Sequence, residues 1–136
     1  MIKTIVRILM VLIAVAMVGY IVLLKWPKAS IKNQSSALYI SASDLYLDYT
    51  NDETKAASLY YDKVITVEGS IMEHYVDENG APVVILGIES PSVLATLEPS
   101  EATKVESLKS GSSIRIKGLC TGMLMEVTLN KGVIIN

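Results

Sequence analysis

An uncharged, strongly apolar run near the N-terminus constrains this chain more than any other feature. No residue between Arg7 and Lys25 carries a charge, and all 14 acidic residues follow the run. At about 1.5 Å per residue, a helix of this length nearly spans the ~30 Å hydrocarbon core of a bilayer. The sequence therefore predicts a basic tail at residues 1–4 and a single-pass transmembrane helix in the lipid bilayer over residues 5–24.

A cleaved signal peptide is the competing interpretation of this run, because Ala14 to Ala16 form an A-x-A site. Cleavage there would leave a strongly apolar new N-terminus at Met17, and Trp26 stands where an interfacial aromatic anchor is expected. We therefore favour a retained signal-anchor helix. The short basic tail favours a cytoplasmic N-terminus and a C-terminal domain on the outer side of the cell membrane.

Charge is divided unevenly between the two ends of the chain. Residues 1–32 carry five basic groups and no acidic one, whereas residues 33–136 carry seven basic and 14 acidic groups. An acidic domain of this kind repels phosphate backbones and anionic lipid headgroups unless its few cations gather on one face. The single cysteine, Cys120, excludes an intramolecular disulfide and a cysteine-based metal cluster, and we expect no cofactor.

The rest of the chain follows an order of short elements. Residues 25–42 are predicted as a polar tether, and residues 43–136 as one domain that begins with a helix over 43–61 capped by Ser43. Strands are predicted over 63–72, 82–88 and 92–97, with an Asn79-Gly80 hairpin signal between the first two. A short helix around Val105 that ends at Gly111, strands over 114–120 and 125–129, and a pairing tail at 133–135 follow.

This order predicts a mainly β fold, an OB-fold: a five-stranded Greek-key barrel with a helix between its third and fourth strands. An N-terminal helix and the transmembrane helix precede the barrel. Another α+β meander has the same order of elements and stays open as the alternative at this point.

A set of glycines, aromatics and small residues adds to this pattern. The set comprises Leu45, Tyr49, Glu53, Ala56, Tyr60, Lys63, Gly69, Gly111, Gly118, Cys120 and Gly122. Over about residues 43–135 it resembles the tRNA_anti-like family of OB-fold proteins. Members of that family are mostly bacterial and often carry an N-terminal signal or lipid anchor. The resemblance also implies a structural role for these residues, with Tyr49 and Tyr60 packing the helix on the barrel.

The chain departs from that family in three places. Asp52-Glu53 stands where members often have Asn-Glu, and Ala95 and Gly132 stand where some members have cysteines. A disulfide of the kind those members form is therefore impossible in this chain. The family name reflects likeness to anticodon-binding domains and does not establish tRNA binding.

The strands that bind nucleic acid in other OB-folds lack the chemistry for it here. Nucleic-acid recognition needs cations for phosphates and aromatic platforms for bases, and residues 82–97 contain no Lys, Arg or aromatic residue. The sequence therefore argues against nucleic acid as the ligand, although a cytoplasmic domain would revive it.

Catalytic and metal-binding residues are not evident either. His74 is the one histidine and lies beside an acidic turn, which favours a solvated strand end over a metal ligand. Cys120 shares a predicted strand face with Ile114 and Ile116, which favours a buried apolar role. We expect a binding module and no enzyme.

Exposed tyrosines are the candidate interaction residues, and we predict that Tyr46, Tyr61 and Tyr75 contribute to such a surface. A protein partner at the bacterial envelope is the leading hypothesis. The alternatives are a small ligand or oligosaccharide on the barrel face and, third, tRNA or single-stranded DNA. An exposed apolar patch would favour a protein, and a polar cleft with Tyr and Asp would favour a glycan.

Overall fold

The computed structural model describes residues 1–24 and 30–135. Its first element is α1, Ile2–Leu24, which by length and composition is apolar enough to cross a membrane, as a signal sequence also would be. The predicted anchor residue Trp26 and residues 25–29 of the predicted tether lie outside the described residues.

Two helices, six strands and a further short helix follow α1 among the described residues. Their bounds are β1 Leu38–Ser41, α2 Ala42–Asn51, α3 Glu53–Tyr60, β2 Val64–Val76, β3 Pro82–Gly87, β4 Pro91–Leu97, α4 Ala102–Glu106, β5 Ser113–Met123 and β6 Val127–Ile135. The 3₁₀ turns Ile31–Asn33 and Pro99–Glu101 precede β1 and α4.

Strands β2 to β6 close into a barrel. The neighbours run β2-β3-β4-β6-β5, and β5 pairs with β2 again to complete the circle. Every one of these pairs is antiparallel except β4 with β6, which is parallel, and α4 connects β4 to β5. This is the strand order and helix position of an OB-fold, so the predicted fold class is confirmed.

The long strand β2 serves both halves of the barrel. Its first half pairs with β5 and its second half with β3, and the register shifts between Ile71 and Glu73. Such a bulge bends a strand, which lets one strand turn from one neighbour to the next. Ile65, Val67 and Ile71 alternate into the core, as the sequence pattern predicted.

The predicted helix over 43–61 is divided into α2 and α3. Asp52 adopts an extended conformation with φ −156°, and its carboxylate accepts the Lys55 amide at 3.0 Å, which caps α3. Ser41 caps α2 by accepting the Asp44 amide at 3.0 Å. The predicted cap, Ser43, is instead the second residue of α2, because the helix begins at Ala42 directly after β1 ends at Ser41.

The apolar stripe of α2 and α3 packs into the barrel core, and Leu45, Tyr49, Ala56 and Tyr60 are all buried there. Close approach is possible because β2 has Gly69 at the contact. A Cβ at that position would lie 2.9 Å from the Ala42 Cβ and would overlap it. Position 69 of β2 therefore requires a glycine where this strand contacts the start of α2.

The described part of the predicted tether, residues 30–42, packs on the barrel. Ile31 is 3% exposed, and the Lys117 Nζ donates to the carbonyls of Lys32 and Gln34 at 2.7 and 2.9 Å. Residues Leu38–Ser41 then pair in parallel with Ile65–Glu68. The polar composition suggested a free segment, but its backbone groups find partners on β2 and β5.

Two further boundaries differ from the sequence prediction. Helix α4 ends at Glu106, and Gly111, with φ +84°, lies in the following turn and donates its amide to the Ile71 carbonyl at 2.7 Å. Met125 lies in the turn between β5 and β6 and not on a strand. The predicted tail at 133–135 is the end of β6, paired with β5.

A candidate interaction groove

An open groove lies between the α2–α3 pair and the β5–β6 end of the barrel. Its volume is about 580 Å³. The lining residues, which define the apolar groove, are Tyr49, Glu53, Ala57, Tyr61, Thr121, Gly122, Met123, Leu124 and Thr128.

The turn between β5 and β6 supplies the exposed edge of the apolar groove. Met123 pairs with Val127 across the turn, and the Leu124 amide donates to the Glu126 carbonyl at 3.3 Å. The two residues at its tip face solvent, with Leu124 94% and Met125 80% exposed. Adjacent large apolar side chains at such exposure are characteristic of interaction sites.

Tyr61 forms the facing edge of the apolar groove and is 56% exposed. It follows α3, and its amide donates to the Ala57 carbonyl at 3.0 Å. The next residue, Asp62, adopts φ 58° and donates its amide to the Cys120 carbonyl at 2.8 Å. The Asp62 bond attaches the Tyr61 turn to β5. The same strand leads into the β5–β6 turn that forms the other edge of the groove.

Lys63 and Gly122 complete this arrangement. The Lys63 Nζ donates to the carbonyls of Ser58 and Leu59 at 3.0 and 2.8 Å, which satisfies the end of α3. Gly122 adopts φ +100°, and a Cβ there would lie 3.6 Å from the Tyr61 ring. The positive φ favours glycine at this turn, and a Cβ would only reach ordinary contact with the aromatic ring.

Two tyrosine hydroxyls and one thiol are buried behind the apolar groove. The Tyr49 hydroxyl lies 3.5 Å from the Cys120 Sγ, and burial, followed by this contact, raises the pKa of Tyr49 far above its usual range. Burial, followed by the hydrogen bond to Asp48, raises the pKa of Tyr60 to about 12. Both hydroxyls are therefore protonated at neutral pH, and the Cys120 thiol is fully buried.

Charge around the apolar groove is acidic. Its one charged lining residue is Glu53, at the start of α3. On the neighbouring barrel face, the outward positions Ile85, Leu94 and Thr96 of β3 and β4 are half-buried and uncharged. These outward positions of β3 and β4 therefore supply no cation themselves, although OB-folds commonly hold phosphate there.

The three predicted interaction tyrosines do not share one site. Tyr61 lines the apolar groove, whereas Tyr46 on α2, half-buried, and Tyr75 on β2, exposed, do not line it. Leu124 and Met125 were not predicted. Two consecutive large apolar residues in a turn were the signal for them, but the alternation of Met125 with Val127 and Leu129 extended the predicted strand over the turn.

The family-pattern residues take mainly structural positions, as the resemblance implied for the buried ones. Leu45, Tyr49, Ala56, Tyr60 and Cys120 lie in the core, and Gly118 faces the Leu129 side chain. Glu53 is exposed at the groove. His74 is half-buried opposite Val84, and within residues 1–24 and 30–135 no three His, Cys, Asp or Glu residues form a group suited to a metal ion.

The closed barrel and its helix position define an OB-fold domain. The model of the tRNA_anti-like family matches residues 1–134. The chain belongs to this family, as its glycine and tyrosine pattern suggested. No curated protein matches the chain.

Three solved structures similar to this chain have low sequence identity to it, and the first of them shares its fold. A Klebsiella pneumoniae lipoprotein, described as a candidate for nucleic-acid binding, is 19% identical with a TM-score of 0.60, covering 80% of this chain and 99% of that one. A candidate aspartyl-tRNA synthetase of Leishmania major is 9% identical with a TM-score of 0.49, covering 80% of this chain and 23% of that one. The yeast Stn1 and Ten1 structure is 13% identical with a TM-score of 0.43, covering 77% and 66%.

Proposed function

We propose that this protein is a membrane-anchored OB-fold module that binds a protein partner through the apolar groove. In this proposal α1 is retained as the anchor and the domain lies on the outer side of a bacterial cell membrane. The observation that carries the proposal is the apolar tip of the β5–β6 turn, where Leu124 lines the groove together with the exposed ring of Tyr61 and the neighbouring Met125 is exposed to solvent.

The chemistry of the groove selects a particular kind of partner. Burying Leu124 and Met125 removes apolar surface from water, at about 25 cal/mol per Å². Glu53 on the groove wall and the acidic surroundings favour Lys or Arg beside the buried group. The partner we propose is a protein segment with a large apolar side chain flanked by basic residues.

The observed groove fits a glycan less well. Sugar recognition uses several convergent polar groups, and the hydroxyls of the buried Tyr49 and Tyr60 are already engaged. The Tyr60 hydroxyl donates to Asp48, and that of Tyr49 lies against Cys120 inside the protein. Catalysis is also outside the proposal, because the buried hydroxyls and thiol supply no activated nucleophile at neutral pH.

Site-specific photo-crosslinking in cells tests the proposed partner. A photoreactive residue at position 124 should give a discrete protein adduct, and the same residue at the exposed position 89, outside the groove, serves as the control. Substituting Met125→Ser should reduce the adduct at 124, whereas Leu47→Ser, an exposed apolar change on α2, should leave it unchanged. Equal adducts at 124 and 89 would contradict the proposal.

Nucleic acid is the second candidate, favoured by the description of the Klebsiella pneumoniae lipoprotein, whose fold this chain shares. Titration of the full chain in detergent with fluorescent single-stranded RNA and DNA tests it. Our proposal expects no binding at physiological salt. Binding whose affinity falls steeply with salt would favour the second candidate instead.

A reporter fused after Asn136 tests the topology. Activity of an export-dependent reporter, with a membrane-bound product of full length, is the expected result. A reporter active only in the cytoplasm would contradict outward display, and release of a shortened product would contradict the retained anchor.

A further inference from the structure

The chain enters the folded domain on one defined side of the barrel. Ser30, the first described residue of the domain, lies beside Thr96, Leu97 and Lys131. The 3₁₀ turn that follows contacts β5 and β6, and Ile31 within it is buried. The entry point is therefore held on the surface formed by β4, β5 and β6.

Little chain separates this entry point from the end of α1. Helix α1 ends at Leu24, and the six Cα-to-Cα steps from Leu24 to Ser30 span at most about 22 Å when fully extended. A domain of about 100 residues has a radius of gyration of about 13 Å, so its far side lies beyond that reach. With α1 in a bilayer, Ser30 stays within about 22 Å of the helix end, which favours orientations that turn its side of the barrel toward the membrane.

Basic residues gather at this entry point, although the domain is acidic. Lys131 lies beside Ser30, and Lys117 binds the carbonyls of the segment that follows it, which includes exposed Lys32. One acidic residue, Glu98, lines the same depression. The α2–α3 pair, in contrast, carries Asp44, Asp48, Asp52 and Glu53.

We propose that this lysine face, defined by Lys32, Lys117 and Lys131, rests on the headgroups of an anionic bilayer and sets the orientation of the domain. The proposal rests on the retained anchor and is independent of the protein partner. A short tether brings the face to the surface, and its lysines favour contact, because each lysine near an anionic surface strengthens attraction about fivefold.

Headgroup quenching measures the orientation directly. The full chain is placed in vesicles that contain phosphatidylglycerol and nitroxide-labelled headgroups, with a fluorophore on Ser100→Cys, beside the lysine face, or on Glu89→Cys. Position 89 is a suitable control because β4, Pro91–Leu97, separates it from the entry point by about 20 Å. The native Cys120 is buried and stays unlabelled in the folded chain.

The label at position 100 is expected to be quenched more strongly than the label at 89. Vesicle flotation is measured on the same samples, which separates the two proposals. A chain that fails to float contradicts the anchor of the proposed function. A chain that floats and shows equal quenching at both positions overturns the lysine-face contact alone.

Charge substitution tests the role of the lysines. Lys32→Gln with Lys131→Gln should weaken the contact about 25-fold and reduce quenching at position 100 to that at 89. The matched control, Lys55→Gln with Lys109→Gln, changes the net charge equally at exposed positions outside the face and should leave quenching unchanged. Equal effects of the two pairs, or no effect of either, would overturn the proposal.

Discussion

The Tyr60 hydroxyl donates a hydrogen bond of 2.6 Å to the carboxylate of Asp48 and so joins α3 to α2 across the break at Asp52. The two tyrosine rings of these helices, Tyr49 and Tyr60, lie 6.1 Å apart between centroids. The two hydroxyls have different hydrogen-bond partners, because that of Tyr49 lies 3.5 Å from the Cys120 sulfur and not against a carboxylate.

We predict that Tyr60→Phe lowers the free energy of unfolding by about 1.5–3 kcal/mol, since a hydrogen bond to a charged acceptor is lost in a partly buried place. Tyr49→Phe serves as the control and should change it by less than about 1 kcal/mol, because its hydroxyl makes only a weak bond to sulfur. Urea unfolding of the full chain in detergent measures both. Equal losses in the two variants would contradict the assigned difference.

The raised pKa of Tyr60 predicts a loss of stability at alkaline pH. A free tyrosine has a pKa of about 10, and folding raises that of Tyr60 to about 12. Below pH 10 the Tyr60 hydroxyl keeps its proton in both the folded and the unfolded chain, so its contribution to the free energy of unfolding does not change with pH. Between pH 10 and 12 the unfolded chain loses the proton first, which favours unfolding.

Urea midpoints measured from pH 9 to 11.5 check this dependence. The native chain should lose stability above pH 10, and Tyr60→Phe should show a shallower decline because one ionising group is gone. Tyr49 has a raised pKa as well, so the double variant should be shallower still. A slope unchanged by both substitutions would show that other groups govern the alkaline transition.

Contact between Gly69 and Ala42 predicts a compensating pair of substitutions. Gly69→Ala would place a Cβ 2.9 Å from the Ala42 Cβ and should destabilise the fold by about 1–3 kcal/mol through overpacking. Adding Ala42→Gly removes the overlapping methyl group and should recover part of that loss, although the glycine itself costs up to about 1 kcal/mol in a helix. Strictly additive effects in a double-mutant cycle would contradict a direct contact.

Glu101 is the buried carboxylate of the domain and accepts the Ile134 amide at 3.1 Å as well as the Lys104 Nζ at 3.0 Å. Glu101→Ala leaves the Ile134 amide without its acceptor, so we expect a loss of about 1–3 kcal/mol in stability. Lys104→Ala removes only a half-exposed partner and should cost less than about 1 kcal/mol. Thermal unfolding compares the two, and a larger loss for Lys104→Ala would contradict this assignment.

The barrel could be predicted from sequence because its signals are local. Alternation of Ile65, Val67 and Ile71 indicates a strand with one buried face. The order of such strands around a short helix left an OB-fold and another α+β meander open, and the family resemblance favoured the OB-fold. Strand β1 could not be predicted in this way. It has four residues, and it exists because Leu38–Ser41 pair with a distant strand edge.

The candidate site was harder to predict than the fold. Tyr61 was predicted as an outward-facing tyrosine at the end of the helix over 43–61, but the apolar groove also needs the β5–β6 turn beside it, which depends on register. Pairing of Met123 with Val127 pushes Leu124 and Met125 out of the strand. The apolar alternation continues through residues 124–126, so the sequence alone does not show that the strand ends there.

Lys117 holds the segment that precedes β1 against the barrel, and its removal should loosen that segment. Its Nζ bonds the Lys32 and Gln34 carbonyls, so Lys117→Met removes both while keeping the aliphatic contacts. Two exposed charge-assisted bonds contribute about 1 kcal/mol, which corresponds to about fivefold faster hydrogen exchange.

The amides of Gln34 and Ala37 report this change, because they donate to Ile31 and Val64 when the segment is docked. Hydrogen exchange measured by mass spectrometry should accelerate for residues 30–37 in Lys117→Met. Lys109→Met is the matched control, because it removes the charge of an exposed lysine that precedes β5 and lies outside the segment. If both variants accelerate exchange equally, Lys117 does not hold the segment, and the docking depends on Ile31 and β1 alone.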